Sequence, residues 1–391
     1  MIPLEKNNIP AGYKDSVVGI IPQEWEVNRL GEICQTFKSG MTITSQNIEK
    51  SGLYPVYGGN GLRGYTDSFT HNGDYILIGR QGALCGNINF IRGKAYISEH
   101  AIAVQPNEGN SIEFLRYKLD FWNLNRFSES SAQPGLSVEK LVRYKLAIPP
   151  MAEQRKIAEI LGVWDEAIEK QSRLIEKLEL RKRALMQRLL TGRTRLPGFI
   201  DDVQYKKLKP FIVEKSERNT NQTYTNVLSV TNNRGFINQA EQFDREVASD
   251  NTANYKLVHR GQFAYNPSRV NVGSLDLLQT YDLGILSPMY IVFETRPTMD
   301  PKFLYYQLKS GWFVGHIPMY VQGSVRDSLS FDGLENMKFW IPPLAEQKAI
   351  AEVLTTADNE IATHRKKLDA LRLQKRGLMQ QLLTGKTRVK I

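Results

Sequence analysis

The sequence predicts an α+β fold: two mixed α/β domains separated by two long helices that pair as an antiparallel coiled coil, related by an internal pseudo-twofold repeat. Three observations carry this expectation. The run IPPMAEQRKIAEIL from Ile148 aligns without a gap on IPPLAEQKAIAEVL from Ile341 at an offset of 193, and RALMQRLLTGRTR from Arg183 meets RGLMQQLLTGKTR from Arg376. Of the 49 positions from Ile148 to Leu196, 25 are identical in the second copy, so the chain contains a duplication. The repeat itself reads as helix, and the segments between its copies alternate short β-prone runs with Gly, Asn and Pro.

In chain order, residues 1–150 are expected to form the first domain, 151–192 the first helix, 193–343 the second domain and 344–391 the second helix. The runs Asp74–Gly79, Tyr96–Ile97 and Met289–Phe293 are strand-like. Pro149-Pro150 and Pro342-Pro343 stand just before the helices, and Gly192 and Gly385 at their ends. About 40 residues at 1.5 Å each give a helix of about 60 Å. Steps of four and three join Ile157, Leu161, Trp164, Ile168, Ile175, Leu178, Leu185 and Leu189, with Gln171 and Lys182 as interruptions. The second copy repeats the seam from Ile350 to Leu382, interrupted at His364 and Lys375. So narrow a stripe suits one partner helix rather than a broad core. Antiparallel pairing sets Lys182 opposite Ala357 and Trp164 opposite Lys375, from where both ammonium groups are expected to reach water.

The domains share frames as well. Glu113–Leu119 resembles Lys302–Leu308, and Gly135–Leu141 resembles Ser328–Leu334, whereas Gly58–Tyr65 has no visible counterpart in the second domain. Similar frames with different faces suggest one task performed on two targets.

At 391 residues the chain exceeds the usual single domain. Cys34 and Cys85 form no C-x-x-C pair, which argues against a disulfide framework or thiolate zinc site and for a reducing, cytoplasmic setting. No run of about 18 apolar residues is present, and the N-terminus lacks the order of a signal peptide. The net charge of +10 is unevenly placed. Residues 1–150 carry 15 basic against 14 acidic side chains, 151–195 carry 11 against 7, 196–343 carry 15 against 15, and 344–391 carry 10 against 5. The excess belongs to the helices, so each near-neutral domain should hold nucleic acid only weakly by itself.

No catalytic constellation is visible. Tyr265-Asn266-Pro267-Ser268-Arg269 lacks the second proline and aromatic of an amino-methyltransferase signature, and Gly58–Gly64 lacks the Gly-Lys-Ser/Thr ending of a P-loop. His71, His100, His259, His316 and His364 show no metal spacing and read as structural or solvated. No cofactor or metal is expected. What stands out is long polar side chains in Gly-flanked loops, which suit base edges or phosphates. In the first domain the loop Gly79–Asn87 offers Arg80, Gln81 and Asn87, with Asn60, Arg63 and Gln133 behind it. In the second, Asn266–Gly273 offers Asn266, Ser268, Arg269 and Asn271, supported by Asn233, Arg234, Gln322 and Arg326. Arg80 is best suited to bidentate contact with guanine.

Ile21-Pro22-Gln23-Glu24-Trp25-Glu26-Val27-Asn28-Arg29-Leu30-Gly31-Glu32 and the paired Ile-Pro-Pro-x-Ala-Glu-Gln helices ending in Leu-Leu-Thr-Gly-Arg/Lys-Thr-Arg resemble Type I restriction-modification specificity subunits over essentially the whole chain. The second domain departs by opening without a tryptophan. The resemblance implies two target-recognition domains on double-stranded DNA with a split site, and assembly with two methyltransferase subunits that bind S-adenosylmethionine and with motor-nuclease restriction subunits. It also implies that this subunit is not itself catalytic. A Type IIB specificity subunit would share these features, and neighbouring coding sequences would separate the two. A coiled-coil scaffold binding only protein would keep the helices but require no reader loops.

Overall fold

The computed structural model describes residues 9–82, 84–128, 135–200, 204–239, 251–321 and 328–391. The chain splits into two compact units, Met1–Ser172 with Lys366–Ile391, and Arg173–Arg365. The frame rests on helices α1 (Ile112–Phe121), α2 (Met151–Leu189), α3 (Pro301–Leu308) and α4 (Leu344–Leu383). Each unit holds one α/β domain and one end of each long helix.

The domains repeat one topology. In the first unit Cys34–Ser39, Ala101–Pro106, Tyr75–Gly79 and Ile88–Ile91 form an antiparallel sheet in that order. In the second, Ile212–Lys215, Ile291–Thr295, Phe263–Tyr265 and Leu275–Leu277 do the same. Beside the first sheet, the hairpin Tyr54–Gly58/Gly61–Thr66 takes Lys94–Ile97 as a parallel neighbour, which pairs antiparallel with His71–Asn72. Its counterpart is the hairpin Leu228–Thr231/Gly235–Asn238, bridged in parallel at Val227–Ile285 to the pair Leu283–Leu286/Lys256–His259. The stretch Gly58–Tyr65 therefore has a counterpart after all. Only its sequence has diverged.

The helix ends pair antiparallel within each unit. Ile157 and Leu161 share a core with Leu378, Met379 and Leu382 in the first, and Leu189 with Ile350 and Leu354 in the second. The seam lysines are taken up in ion pairs rather than standing free in water. Lys375 Nζ lies 2.6 Å from Asp165 and over the Tyr117 ring, and Lys182 Nζ lies 2.5 Å from Asp358 and over the Tyr306 ring. Each tyrosine comes from its domain helix, and its hydroxyl donates to the same aspartate at 2.5 Å (Tyr117) or 2.8 Å (Tyr306). The aspartates stand one residue beyond Trp164 and Ala357 and pair with the ammonium groups. Two equivalent Tyr–Asp–Lys clusters thus tie each domain to both helices.

The retained Ala-Glu-Gln and Thr-Gly-x-Thr-Arg motifs meet each other. Glu153 and Glu346 are fully buried. Arg388 grips Glu153 at 2.7 and 3.0 Å, and Arg195 grips Glu346 at 2.7 and 2.6 Å. Gln154 accepts from the N–H of Ser111, the residue capping α1, and Gln347 from that of Asp300, which caps α3. The helices end at Gly192 and Gly385 with φ of +71° and +72°, where a Cβ would strike Trp340 at 2.9 Å or Pro22 at 2.6 Å. Both turns rest on a buried tryptophan, Trp340 from the closing strand of the second domain and Trp25 from the opening of the first. A tryptophan at the far end of the second domain thus serves where its opening segment lacks one.

Lys118 is buried and donates to Leu383 O at 2.5 Å, while Gln307 makes the equivalent bond to Leu190 O at 2.9 Å. Burial pushes the Lys118 ammonium down to about 8. Between there and the unfolded value of about 10.4, the unfolded chain binds more protons than the folded one, so this group makes stability rise with pH. Lys118→Gln is expected to stabilise the protein at pH 7 by on the order of 2 kcal/mol, with the gain shrinking towards pH 10. Urea midpoints of parent and variant at both pH values check it, and a variant weaker at both refutes it.

Candidate nucleic-acid interface

In each unit two connections expected to read a target come together, because the sheets that carry them abut. In the first, a Cβ at Gly59 of the hairpin would stand 2.9 Å from His100 O and 3.6 Å from Arg80 N. The loop after Tyr75–Gly79 is pinned through its backbone. The Arg80 N–H donates to His100 O at 2.9 Å, Leu136 N–H donates to Arg80 O at 2.9 Å, and Gln81 bridges Gly135. With the backbone fixed, the side chains are left to solvent. Asn60, Arg63, Gln81 and Asn87 are exposed and Arg80 is half-buried.

The second unit repeats the arrangement with other residues. Leu329 N–H donates to Pro267 O at 3.1 Å, as Leu136 does to Arg80 O, which makes Pro267 the counterpart of Arg80 and Ser268 that of Gln81. The loop meets its hairpin where a Cβ at Gly273 would lie 3.2 Å from Asn232, and Ser274 Oγ donates to Val230 O at 2.8 Å. Between them lies a polar cleft of about 420 Å³ that brings Asn233, Asn266 and Arg269 together with Asn232 and Tyr290. Arg234, Ser268 and Asn271 are exposed on the same two connections. Gln133, Gln322 and Arg326 lie outside the described residues.

Among the described residues the guanidinium groups of Arg63, Arg80, Arg234 and Arg269 make no ion pair, whereas Arg260 is paired with Asp282 and Arg92 with Asp74. Uncompensated cations on rigid loops suit phosphates or guanine edges. Sequence reasoning missed Asn232, Tyr290, Glu99 and His100, which no spacing marks and which the fold alone brings to these loops. No group of His, Cys, Asp or Glu among the described residues is placed to hold a metal ion, and no described helix is long and apolar enough to cross a membrane.

A family model described as the Type I restriction modification DNA specificity domain matches this chain twice, over residues 22–180 and 199–373. The EcoprrI specificity subunit of Escherichia coli is 42% identical over 159 residues, which is 39% of this chain and 39% of that protein. The MjaVIII specificity subunit of Methanocaldococcus jannaschii is 25% identical over 404 aligned positions, covering 95% of this chain and 94% of its own. Among solved structures, the S subunit of a Type I restriction-modification system from M. genitalium matches with a TM-score of 0.60 at 15% identity, over 94% of this chain and 96% of that one. A chain from a structural study of type I R-M complex assembly matches with a TM-score of 0.56 at 16% identity, over 94% and 99%. These two likenesses concern the fold.

Proposed function

The chain belongs to the Type I restriction-modification DNA specificity family, and on that footing we propose that it reads a split site on double-stranded DNA. In this reading residues 1–150 and 193–343 are the target-recognition domains, residues 151–192 and 344–391 are the spacer helices, and methylation and cleavage belong to partner subunits in the cytoplasm. The observation that carries it is the contrast between frame and face. Two sheets with the same strand order present their connecting loops at the same place, yet Arg80-Gln81 in one stands where Pro267-Ser268 stands in the other. Loops of different chemistry carried at one place on one frame suit two targets of different sequence. The proposed reader set is Asn60, Arg63, Arg80, Gln81, Asn87 and Gln133 for one half-site, and Asn233, Arg234, Asn266, Ser268, Arg269, Asn271, Gln322 and Arg326 for the other. Exchanging residues 1–150 for those of a relative is expected to change one half of the methylated motif and leave the other intact. Adenine-methylation mapping of DNA exposed to the complex decides it, and a change in both halves would refute independent reading.

Docking of two methyltransferase subunits is supported by side chains that both copies kept on the outside of the helices. Leu180 and Leu373 are 57% and 69% exposed at equivalent positions of the two copies. On the same stripe follow Arg183 and Arg376, the small Ala184 and Gly377, and Gln187 and Gln380, all exposed. An exposed stripe of one leucine, one arginine, one small residue and one glutamine, present twice, fits one kind of partner bound twice; restriction subunits would join that core. Leu180→Asp with Leu373→Asp is expected to weaken co-purification of the methyltransferase at least tenfold without altering the melting temperature. Undiminished assembly would place the partner elsewhere.

A further inference from the structure

In the first unit, Glu99 and His100 occupy the turn between Lys94–Ile97 and Ala101–Pro106, the same turn that touches both Gly59 and Arg80. Glu99 Oε1 lies 3.3 Å from His100 Nε2, and His100 Nδ1 lies 3.1 Å from Gln81 Oε1. Glu99 Oε2 is shut away from solvent with no hydrogen-bond partner among the described residues, so the carboxylate acts on the loop only through the imidazole. Gln81 itself is exposed, its backbone bridged to Gly135. Both ends of this side chain's freedom are therefore restricted before any ligand arrives.

The second unit shows that the turn is a variable place in a constant frame. Its equivalent turn, between Leu283–Leu286 and Ile291–Thr295, carries Pro288-Met289 instead of Glu99-His100. Met289 Sδ lies 3.4 Å from Asn266 Nδ2. The turn again contacts the reader loop, with different chemistry and a different loop residue.

We propose that Glu99 and His100 are positioning residues that hold Gln81 as a preorganised base reader in the first domain. With His100 protonated on both ring nitrogens it donates to Glu99 and to the Gln81 carboxamide oxygen, so Gln81 presents its NH2 group outward, where it suits an acceptor on a base edge such as guanine O6, a purine N7 or thymine O4. A long side chain ordered in advance loses less entropy on contact than the free guanidinium of Arg80 beside it. The inference rests on the DNA-reading function proposed above.

The test maps adenine methylation by the complete methyltransferase complex carrying Gln81→Ala, His100→Phe or Glu99→Gln, with Arg80→Ala for comparison. His100→Phe keeps a ring in place and removes both hydrogen bonds, Glu99→Gln keeps the side chain's shape, and melting temperatures verify that the variants fold. All three variants are expected to relax the same single position of one half-site by about 2- to 13-fold, the range of one hydrogen bond. The other half-site should stay as it was, and Arg80→Ala should act at another position or uniformly. Relaxation by Gln81→Ala alone, or a uniform fall in methylation with an unchanged motif, overturns the positioning role. A parent complex with no split motif overturns the functional reading and this inference with it.

Discussion

Glu346→Ala is expected to destabilise the second unit by about 3–5 kcal/mol, the loss seen when one member of a buried ion pair is removed. Glu346 is wholly buried and Arg195, 18% exposed, grips it with both arms of the fork. Without the carboxylate, the guanidinium pressed on the Trp340 ring would lose the bidentate partner that ties it to the start of α4. In the equivalent Glu153→Ala, Arg388 keeps Glu24, while the indole N–H of Trp25, which donates to Glu153 at 2.9 Å, loses its acceptor. Hydrogen exchange at Leu189–Thr194 and Lys338–Trp340 should rise in Glu346→Ala ahead of the rest of the chain. Unchanged denaturation midpoints and exchange would show that the pair does not hold helix end and domain together.

Much of the frame was legible because a coiled-coil seam and a duplicated motif are local patterns. The seam from Ile157 to Leu189 follows from spacing alone, and its antiparallel partner from having two copies. The lysines were misjudged for an equally physical reason. Lys182 opposes Ala357 in a seam diagram, but its ion pair is with Asp358, one residue beyond, and the ring beneath it is Tyr306 from a domain helix some fifty residues away. A seam diagram holds no third element. Hairpin Leu228–Asn238 was invisible as the counterpart of Tyr54–Thr66 because strand order, not side chains, preserves that likeness. Glu99 and His100 could not be found as companions of Gln81, since the contact depends on the pairing of Tyr75–Gly79 with Ala101–Pro106 and no periodicity marks it.

Removing one heptad from each long helix is expected to shorten the unread gap of the DNA site while leaving both half-sites as they were. The deletion of Glu169–Ile175 with Ala362–Leu368 lies between the two Tyr–Asp–Lys clusters, at Asp165 and Lys182 on α2 and at Asp358 and Lys375 on α4. Both clusters and both Glu–Arg pairs are therefore retained, and a shift of seven residues keeps the seam in phase. Each helix loses about 10 Å, close to three base-pair steps at about 3.4 Å. If the helices set the distance between the domains, the gap must contract by about three base pairs. The same contraction removes about 100° of helical twist between the half-sites, at roughly 10 base pairs per turn, so slower methylation of the shorter site is expected. Deleting only Glu169–Ile175 is the control: it puts the two clusters out of register and should destabilise the fold. Methylation mapping of the double deletion decides the matter, because a folded complex that still modified only the original spacing would show that the half-sites are held apart by something other than these helices.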